Sequence, residues 1–298
     1  MDLIKVQMQS GTIAFGINHF KIVYGNNSDK KYEMFRTIQH CLLKEDESEY
    51  EEESNSKCSI TLNDNRTDSR MIKCIRFNIF DSIDNIIEIS SKSLMTEYIE
   101  SMLKDIEFLD SFATLNQTLL AMNSDVLDEI TITQDNHQII FQVKEFVLKS
   151  FIKLIEASIL IDEQNAHDFD VSVEYKMSLF LNLVSSLAKE NQIKKYICIL
   201  DVIELKQNLY LELQQLNQDN LYILVNVEHI STNINPEFIL ILDKETIDLG
   251  IDEQVYESLV IENDVGYDLE TIKSKIQNHF TNSFHKPSII DQLIINIR

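Results

Sequence analysis

Three apolar runs in the second half of the sequence constrain the fold most strongly. They are KKYICILD at residues 194–201, LYILVNVEHI at residues 221–230 and EFILILDKE at residues 237–245. Each is apolar on both faces, which is typical of strands buried in a parallel sheet. A helical pattern at residues 205–216 separates the first two runs, so the order strand, helix, strand is repeated. The sequence therefore predicts an α/β fold with a mostly parallel sheet.

An earlier stretch, residues 20–43, predicts the first strand and helix of that core. The apolar run FKIVY is followed by Gly25, the polar sequence NNSDKK and a segment whose apolar residues recur every three or four positions. Strand, glycine, polar loop and helix form the layout of a phosphate-binding loop. In such a loop, backbone N–H groups and the positive end of the helix dipole face an anion.

The match to the phosphate-loop signature is partial. That signature has a glycine, four residues and then Gly-Lys-Ser/Thr. Counted from Gly25, Lys31 takes the lysine position, but Lys30 replaces the second glycine and Tyr32 replaces the magnesium-binding hydroxyl. Asp201 ends its strand where a magnesium-tuning acid sits in phosphate-loop proteins. We predict a degenerate phosphate loop of Gly25, Lys30, Lys31 and Asp201, and an ordinary strand–turn–helix connection is the alternative.

The pattern of elements divides the chain into four predicted segments. They are the first part of the α/β core at residues 1–92, a helical head inserted at residues 93–165, the second part of the core at residues 166–250 and a C-terminal extension at residues 251–298. We expect an acidic run within the first segment, residues 44–56, to be a mobile loop. Long helices are predicted at residues 93–123, 142–160 and 174–190.

Charge limits the ligands that the chain can attract. It contains 26 basic and 49 acidic residues, a formal net charge of −23, so its average field repels nucleic acid. Screening over about 10 Å still permits local basic surfaces. Two groups of basic residues are candidates for binding an anion, with a solvated face as the alternative for each. They are Lys144, Lys149 and Lys153 on the predicted helix, and Arg70, Lys73 and Arg76 on a predicted strand at residues 70–80.

A cluster of acids is the candidate metal site. Five carboxylates, Asp162, Glu163, Asp168, Asp170 and Glu174, lie within thirteen residues, and hard cations such as Ca²⁺ bind that many oxygen ligands. The spacing is not that of an EF-hand, so a bare acidic turn is the alternative. The four cysteines have no CxxC spacing and suggest neither a zinc site nor a disulfide framework.

Several functional classes have no support in the sequence. The start, MDLIKVQMQ, has no charged head followed by an apolar core, and no apolar run is long enough to span a bilayer. We therefore expect a cytoplasmic protein without a membrane partner. Motifs such as GxSxG and HExxH are missing.

Taken together, the order of elements resembles the Csn-two family, the ring-forming accessory proteins of type II-A CRISPR adaptation. The resemblance rests on the loop GNNSDKK, the segment FNIFD at residues 77–81, the long helical insertion and the stretch DFDVSVEYKMSLFLNLVSSLA at residues 168–188. The three apolar runs then follow in the order of the family's last strands. The resemblance covers residues 1–245.

The resemblance implies a degenerate phosphate-loop core with an inserted helical head and no catalysis by this subunit. It also implies a homotetrameric ring that threads the ends of double-stranded DNA, with the CRISPR integrase and effector nuclease as partners. The two basic groups would then bind DNA without regard to sequence. Calcium would stabilise the ring through Asp168, Asp170 and Glu174. Two alternatives remain: a nucleotidase or kinase that uses Lys31 and Asp201, and a structural adaptor that does not bind DNA.

Overall fold

The computed structural model describes residues 1–43, 58–67, 70–90, 93–104, 106–122, 132–134, 137–139, 144–261 and 268–282. The predicted acidic loop at residues 44–56 and the apolar end of the chain lie outside the described residues. The chain forms two compact units. The first comprises residues 1–81, 173–178 and 191–298, and the second comprises residues 82–172 and 179–190. The second unit contains the predicted head and is longer at both ends, whereas the predicted C-terminal extension belongs to the first unit.

The regular elements of the described residues follow one another in this order. The strands are β1 (Asp2–Gln7), β2 (Thr12–Ile17), β3 (Phe20–Tyr24), β4 (Ser59–Leu62), β5 (Asn65–Arg66), β6 (Ile72–Asn78), β7 (Ile132–Gln134), β8 (His137–Ile139), β9 (Ile159–Ile161), β10 (Gln164–Ala166), β11 (Lys195–Leu205), β12 (Leu221–Ile230), β13 (Ile239–Leu242) and β14 (Thr246–Asp248). The helices are α1 (Ser28–Leu43), α2 (Ile83–Ile87), α3 (Leu94–Met102), α4 (Ile106–Met122), α5 (Leu148–Ile152), α6 (Val173–Glu190), α7 (Gln207–Gln215), α8 (Asp252–Tyr256) and α9 (Leu269–Asn282).

A six-stranded sheet forms the centre of the first unit. Its order is β14-β13-β3-β12-β11-β6, and only β14 runs antiparallel to its neighbour. Nearly every side chain of β3, β12 and β13 is buried, as the apolar runs predict. The predicted α/β fold with a mostly parallel sheet is confirmed. The carboxyl ends of β3, β12, β11 and β6 meet at one edge, where ligands bind in parallel sheets.

A second sheet and helix α1 share one apolar core with the six-stranded sheet. The second sheet has the order β2-β1-β4-β5 and is antiparallel. Helix α1 buries Met34, Phe35, Ile38 and Leu42, whose spacing of three or four residues places them on one face. These side chains pack with residues from both sheets, including Phe15. The core therefore fixes where α1 begins and where the loop before it lies.

A buried ion pair joins β14 to β3 within the central sheet. The Lys21 Nζ of β3 donates to the Oδ1 of Asp248, and both residues are almost inaccessible to solvent. Asp248 also accepts hydrogen bonds from the backbone N–H groups of Gly16 at 2.7 Å and Gly250 at 2.8 Å. Lys21 donates in addition to the Glu237 carbonyl at 2.8 Å. Because every charge has partners, the pair is compatible with full burial.

The second unit is built from short helices and hairpins around an aromatic cluster. Phe108 and Phe112 of α4 pack against Phe146 and Phe151 with ring centroids 5.5–5.9 Å apart. The Asn116 amide bonds both backbone groups of Phe146, accepting from its N–H at 2.9 Å and donating to its carbonyl at 3.0 Å. Strands β7–β8 and β9–β10 form the hairpins. Among the described helices that lie wholly within this unit, α4 is the longest.

Two of the predicted long helices are interrupted. The prediction at residues 142–160 is wrong for most of its length, because only α5 is helical there and residues 159–161 form a strand. In place of the single helix predicted at residues 93–123, the structure has two helices, α3 and α4, with a turn after Met102. Apolar spacing was present in both stretches, but it does not mark where a helix ends. Helix α6 agrees with the prediction within one residue.

None of the described helices is both long enough and apolar enough to cross a lipid bilayer.

Candidate functional site

The loop between β3 and α1 has only three residues, Gly25, Asn26 and Asn27, because α1 begins at Ser28. Gly25 adopts φ +136°, and a Cβ atom on it would lie 2.1 Å from the Leu242 carbonyl oxygen. Glycine is therefore required here by the close approach of β13. Packing against β13 alone therefore explains a glycine at this position, without a bound phosphate.

Several backbone N–H groups of this loop and first helical turn bond within the protein. The N–H of Asn27 donates to the Leu242 carbonyl at 3.2 Å, and that of Lys31 donates to the Asn27 carbonyl at 3.1 Å. The N–H of Lys30 donates to the Asn27 side chain at 3.0 Å. Asn27 thus caps the helix, and an anion would compete with these bonds for the N–H groups.

The lysine at the signature position is buried and bound to the sheet. The Lys31 Nζ donates to the Val227 carbonyl of β12 at 2.7 Å, and the residue is 8% exposed. Burial lowers the pKa of Lys31 to about 8, and the nearby carboxylate of Glu228 opposes the shift. The loss of hydration disfavours the charged form more than the carboxylate favours it.

The acid at the end of the predicted strand is also fully engaged. The Asp201 Oδ2 accepts from the Arg76 Nε at 2.5 Å, and its Oδ1 accepts from the Asn226 Nδ2 at 2.9 Å. The Arg76 Nη1 donates further to the Gln39 side chain at 3.0 Å. Both carboxylate oxygens of Asp201 therefore hold strand β11 to its two neighbours, β6 and β12.

Lys31, Arg76 and Asn226 line a cavity of about 500 Å³ at the carboxyl edge of the sheet. Its lining residues are Ser28, Lys31, Tyr32, Phe35, Arg36, Gln39, Arg76, Asn226 and Glu228. The volume is within the usual range for a small-molecule site. Lys31 and Arg76, however, each already donate to partners within the protein. The geometry supports a structural network at the position of a nucleotide site.

Sequence reasoning placed Lys31 and Asp201 at this site, assigned Arg76 to a DNA-binding group instead, and missed most other polar residues of the cavity. Arg36 and Gln39 lie one turn apart on α1, and Asn226 and Glu228 alternate near the end of β12. The signal available was polar residues interrupting a buried apolar run, as in LVNVEHI. Such residues at the end of a parallel strand point to the carboxyl edge of the sheet.

The two predicted basic groups belong to different units. Lys144, Lys149 and Lys153 lie in the second unit and are exposed, with Lys149 in α5 and Lys153 directly after it. Arg70, Lys73 and Arg76 lie in the first unit, and the last two are on β6. Arg76 is paired with Asp201 beside the cavity. For the other five residues, DNA binding stays a prediction.

The three predicted metal ligands each have a partner within the protein. The Asp168 Oδ1 accepts from the Ile83 N–H at 2.7 Å, and the Asp170 Oδ2 accepts from the His167 N–H at 2.9 Å. The Glu174 Oε1 pairs with the Lys206 Nζ at 2.9 Å, and this hydrogen bond lowers the pKa of Glu174. Within the described ranges, no group of three or more histidine, cysteine or acidic side chains is arranged to hold a metal ion.

Comparison with known proteins identifies a solved structure with the same fold. No protein-family model and no characterised protein matches the chain by sequence. The crystal structure of Stu0660 of Streptococcus thermophilus is similar, with a TM-score of 0.72 and 16% identity, over 99% of this chain and 92% of that one. The ATP-bound recombination mediator RecF of the RecFOR pathway covers 82% of this chain and 98% of its own at 14% identity, with a TM-score of only 0.35. The chain therefore has the fold of Stu0660.

Proposed function

We propose that this chain is the non-catalytic subunit of a homotetrameric ring that binds the ends of double-stranded DNA in the cytoplasm. The ring would support CRISPR spacer acquisition alongside the CRISPR integrase and effector nuclease. The observation that carries the proposal is the fold shared with Stu0660 over 99% of the chain, taken with the resemblance of the sequence to the Csn-two family. Both extend over the core and the inserted unit.

Three exposed lysines of the second unit support DNA binding. Lys144, Lys149 and Lys153 are exposed within ten residues of the chain, although the protein as a whole has a net charge of −23. Lysines that contact phosphates displace counterions, so binding is independent of sequence and weakens with salt. A ring that is basic on its inner wall and acidic outside reconciles the two facts.

The arrangement at the carboxyl edge of the sheet supports a role without nucleotide chemistry. Lys31 and Asp201, the residues that a nucleotidase or kinase would use, are bound to Val227, Arg76 and Asn226. Titration of the protein with ATP and Mg²⁺ in a calorimeter tests this alternative. We expect no binding, and a micromolar affinity would favour the nucleotidase.

A mobility shift separates a DNA-end-binding ring from an adaptor that does not bind DNA. The probes are one duplex sequence in a linear and in a covalently closed circular form, each measured at low and at moderate salt. We expect the linear form alone to shift, and the shift to fade as salt rises. If neither form shifts at low salt, the adaptor is the better account.

Calcium enters the proposal as a stabiliser of the ring, with Asp168, Asp170 and Glu174 as the candidate ligands. Each would have to give up or share the partner described above, because the described residues form no metal-binding group. The molecular mass in solution, measured with Ca²⁺ and then with EDTA, tests this part. We expect EDTA to lower the mass, and an unaltered tetramer would remove calcium from the account without affecting DNA binding.

A further inference from the structure

The hairpin that joins β13 to β14 contains two buried side-chain oxygen atoms without a hydrogen-bond partner. They are the Oδ2 of Asp243 and the Oγ1 of Thr246, and neither atom bonds to any of the described residues. Leu242 pairs with Thr246 across the hairpin, so Asp243, which follows Leu242, lies at the position next to Thr246. Buried polar side-chain atoms in native proteins nearly always have a partner. Two such atoms at one hairpin end therefore point to a ligand.

The carboxylate determines the charge of that ligand. Asp243 is 7% exposed, and its side chain forms no ion pair with the described residues. Asp248 lies in the same hairpin and is also fully buried, but it is compensated by the Lys21 amine and by two backbone N–H groups. A buried carboxylate is costly unless a cation or hydrogen-bond donors compensate it. The difference between these two acids indicates that the partner of Asp243 is a cation.

The backbone at this end of the hairpin is already fixed. The Asn27 side chain donates to the Asp243 carbonyl at 3.2 Å, and the Asn27 N–H donates to the Leu242 carbonyl at the same distance. The Asp243 N–H donates to the Glu245 carbonyl at 2.9 Å. A ligand that binds to groups held in this way loses less free energy to their ordering.

We propose that the hairpin end binds one Mg²⁺ ion through the Oδ2 of Asp243 and the Oγ1 of Thr246, with water molecules completing its shell. Hard cations take oxygen ligands, and Mg²⁺ usually keeps several waters and binds one or two carboxylates. Ca²⁺ takes about six to eight oxygen ligands, so one carboxylate and one hydroxyl suit it less well. A site with a single acid is not one of the groups of three or more ligating residues considered above.

The ion would fasten the hairpin beside the loop that precedes α1. That loop contacts the same end of β13 through Gly25 and Asn27. The site lies within the first unit and shares no residue with the candidate calcium ligands Asp168, Asp170 and Glu174. The inference therefore stands or falls independently of the ring, of DNA binding and of calcium.

Thermal unfolding at constant ionic strength tests the site. Balancing MgCl₂ against KCl removes the general screening that any salt gives to a chain of net charge −23. We expect Mg²⁺ to raise the unfolding temperature of the wild type above that in KCl. Asp243→Asn should need at least about tenfold more Mg²⁺ for the same rise, because loss of an outer-shell partner alone weakens metal binding that much. Glu245→Gln is the control, since it removes an equal charge from an exposed residue of the same hairpin and should respond like the wild type.

The same variant measured in EDTA separates an ion ligand from a structural acid. Without Mg²⁺, Asp243→Asn should be at least as stable as the wild type, because it removes a buried charge that has no partner. With Mg²⁺ it should be less stable. Equal destabilisation of Asp243→Asn in EDTA and in Mg²⁺ would overturn the inference. So would a wild type that responds to Mg²⁺ no more than to K⁺, or a Glu245→Gln that loses as much Mg²⁺ affinity as Asp243→Asn.

A cleavage experiment on the wild type keeps the test valid if Asp243→Asn does not fold. Fe²⁺ can replace Mg²⁺ at oxygen sites, and with ascorbate and hydrogen peroxide it cuts the backbone close to where it is bound. We expect cuts near residues 25–27 and 243–246 that excess Mg²⁺ suppresses and that Thr246→Val weakens. Cuts confined to other parts of the chain, such as the acids at residues 162–174, would contradict the site.

Discussion

Two residues at the carboxyl edge of the sheet, Lys31 and Asp201, correspond to phosphate-loop positions but make structural contacts within the protein. Lys31 lies in the first turn of α1, and each of Lys31 and Asp201 is bound to groups of the protein itself. The prediction that Asp201 ends its strand is wrong, because β11 continues to Leu205. The strands and the helix that carry these residues were predictable from their apolar patterns. The partners were not, because Val227, Asn226 and Arg76 reach these side chains through tertiary structure.

Burial of Lys31 predicts a stability that depends on pH. Its pKa is about 8 in the folded protein and 10.5 ordinarily, so between these values the unfolded chain binds more protons. The free energy of unfolding should therefore rise by about 3 kcal/mol as pH increases from 8 to 10.5. Urea unfolding of the wild type and of Lys31→Met at several pH values measures this contribution. The variant should lack the rise in unfolding free energy, because it has no amine to titrate. Loss of the hydrogen bond to Val227 lowers the stability of the variant equally at every pH.

Lys30→Met is the control for the unfolding measurement on Lys31→Met. Lys30 is partly exposed and lies on the same helical turn, so Lys30→Met removes an equal charge and controls for an effect of net charge alone. Equal pH dependence in the wild type and Lys31→Met would mean that the amine is hydrated in the folded protein.

Gly25 predicts a large effect for one added methyl group. Gly25→Ala combines an unfavourable φ of +136° with a contact of 2.1 Å to the Leu242 carbonyl, so it should destabilise the protein by at least about 2 kcal/mol. Gly11→Ala is the control, because φ is also positive there but no atom lies within 4 Å of the added Cβ. Chemical unfolding of both variants measures the difference. Equal losses would show that β13 yields to the methyl group.

At the scale of elements, the central strands were predictable and the inserted unit was not. Strands β3, β11, β12 and β13 are apolar on both faces, so composition alone indicates their burial. In the second unit the apolar spacing at residues 142–160 predicted a helix where a short helix and a strand occur. Half-buried short elements take their structure from tertiary contacts, which local spacing does not record.

The Lys21–Asp248 pair predicts that the segment after β13 is integral to the first unit. Asp248→Ala leaves the Lys21 amine and two backbone N–H groups without their carboxylate, so it should cost about 3–5 kcal/mol in unfolding free energy. Asp252→Ala removes the partly exposed pair with Lys273 and should cost less than about 1 kcal/mol. Urea midpoints compare the two. Similar small losses would mean that the pair is dispensable.

At the scale of the whole molecule, reversal of three charges should separate a DNA surface from overall charge. Reversing Lys144, Lys149 and Lys153 to glutamate should weaken binding to every duplex sequence and make the salt dependence less steep by about three logarithmic units per decade. The matched control reverses three exposed basic residues of the first unit, Arg66, Lys244 and Lys273. Fluorescence anisotropy against salt measures both. If the control loses as much affinity, only net charge matters, and the DNA surface must then be sought at Arg70 and Lys73.

The central claim is that the protein closes around a duplex and reaches it only through an end. Order of addition tests this most directly, with a linear duplex whose two biotinylated ends can be capped by streptavidin. We predict no binding when the ends are capped before the protein is added. When they are capped afterwards, the protein should stay on the duplex through a challenge with competitor DNA. Equal binding in both orders would contradict the account.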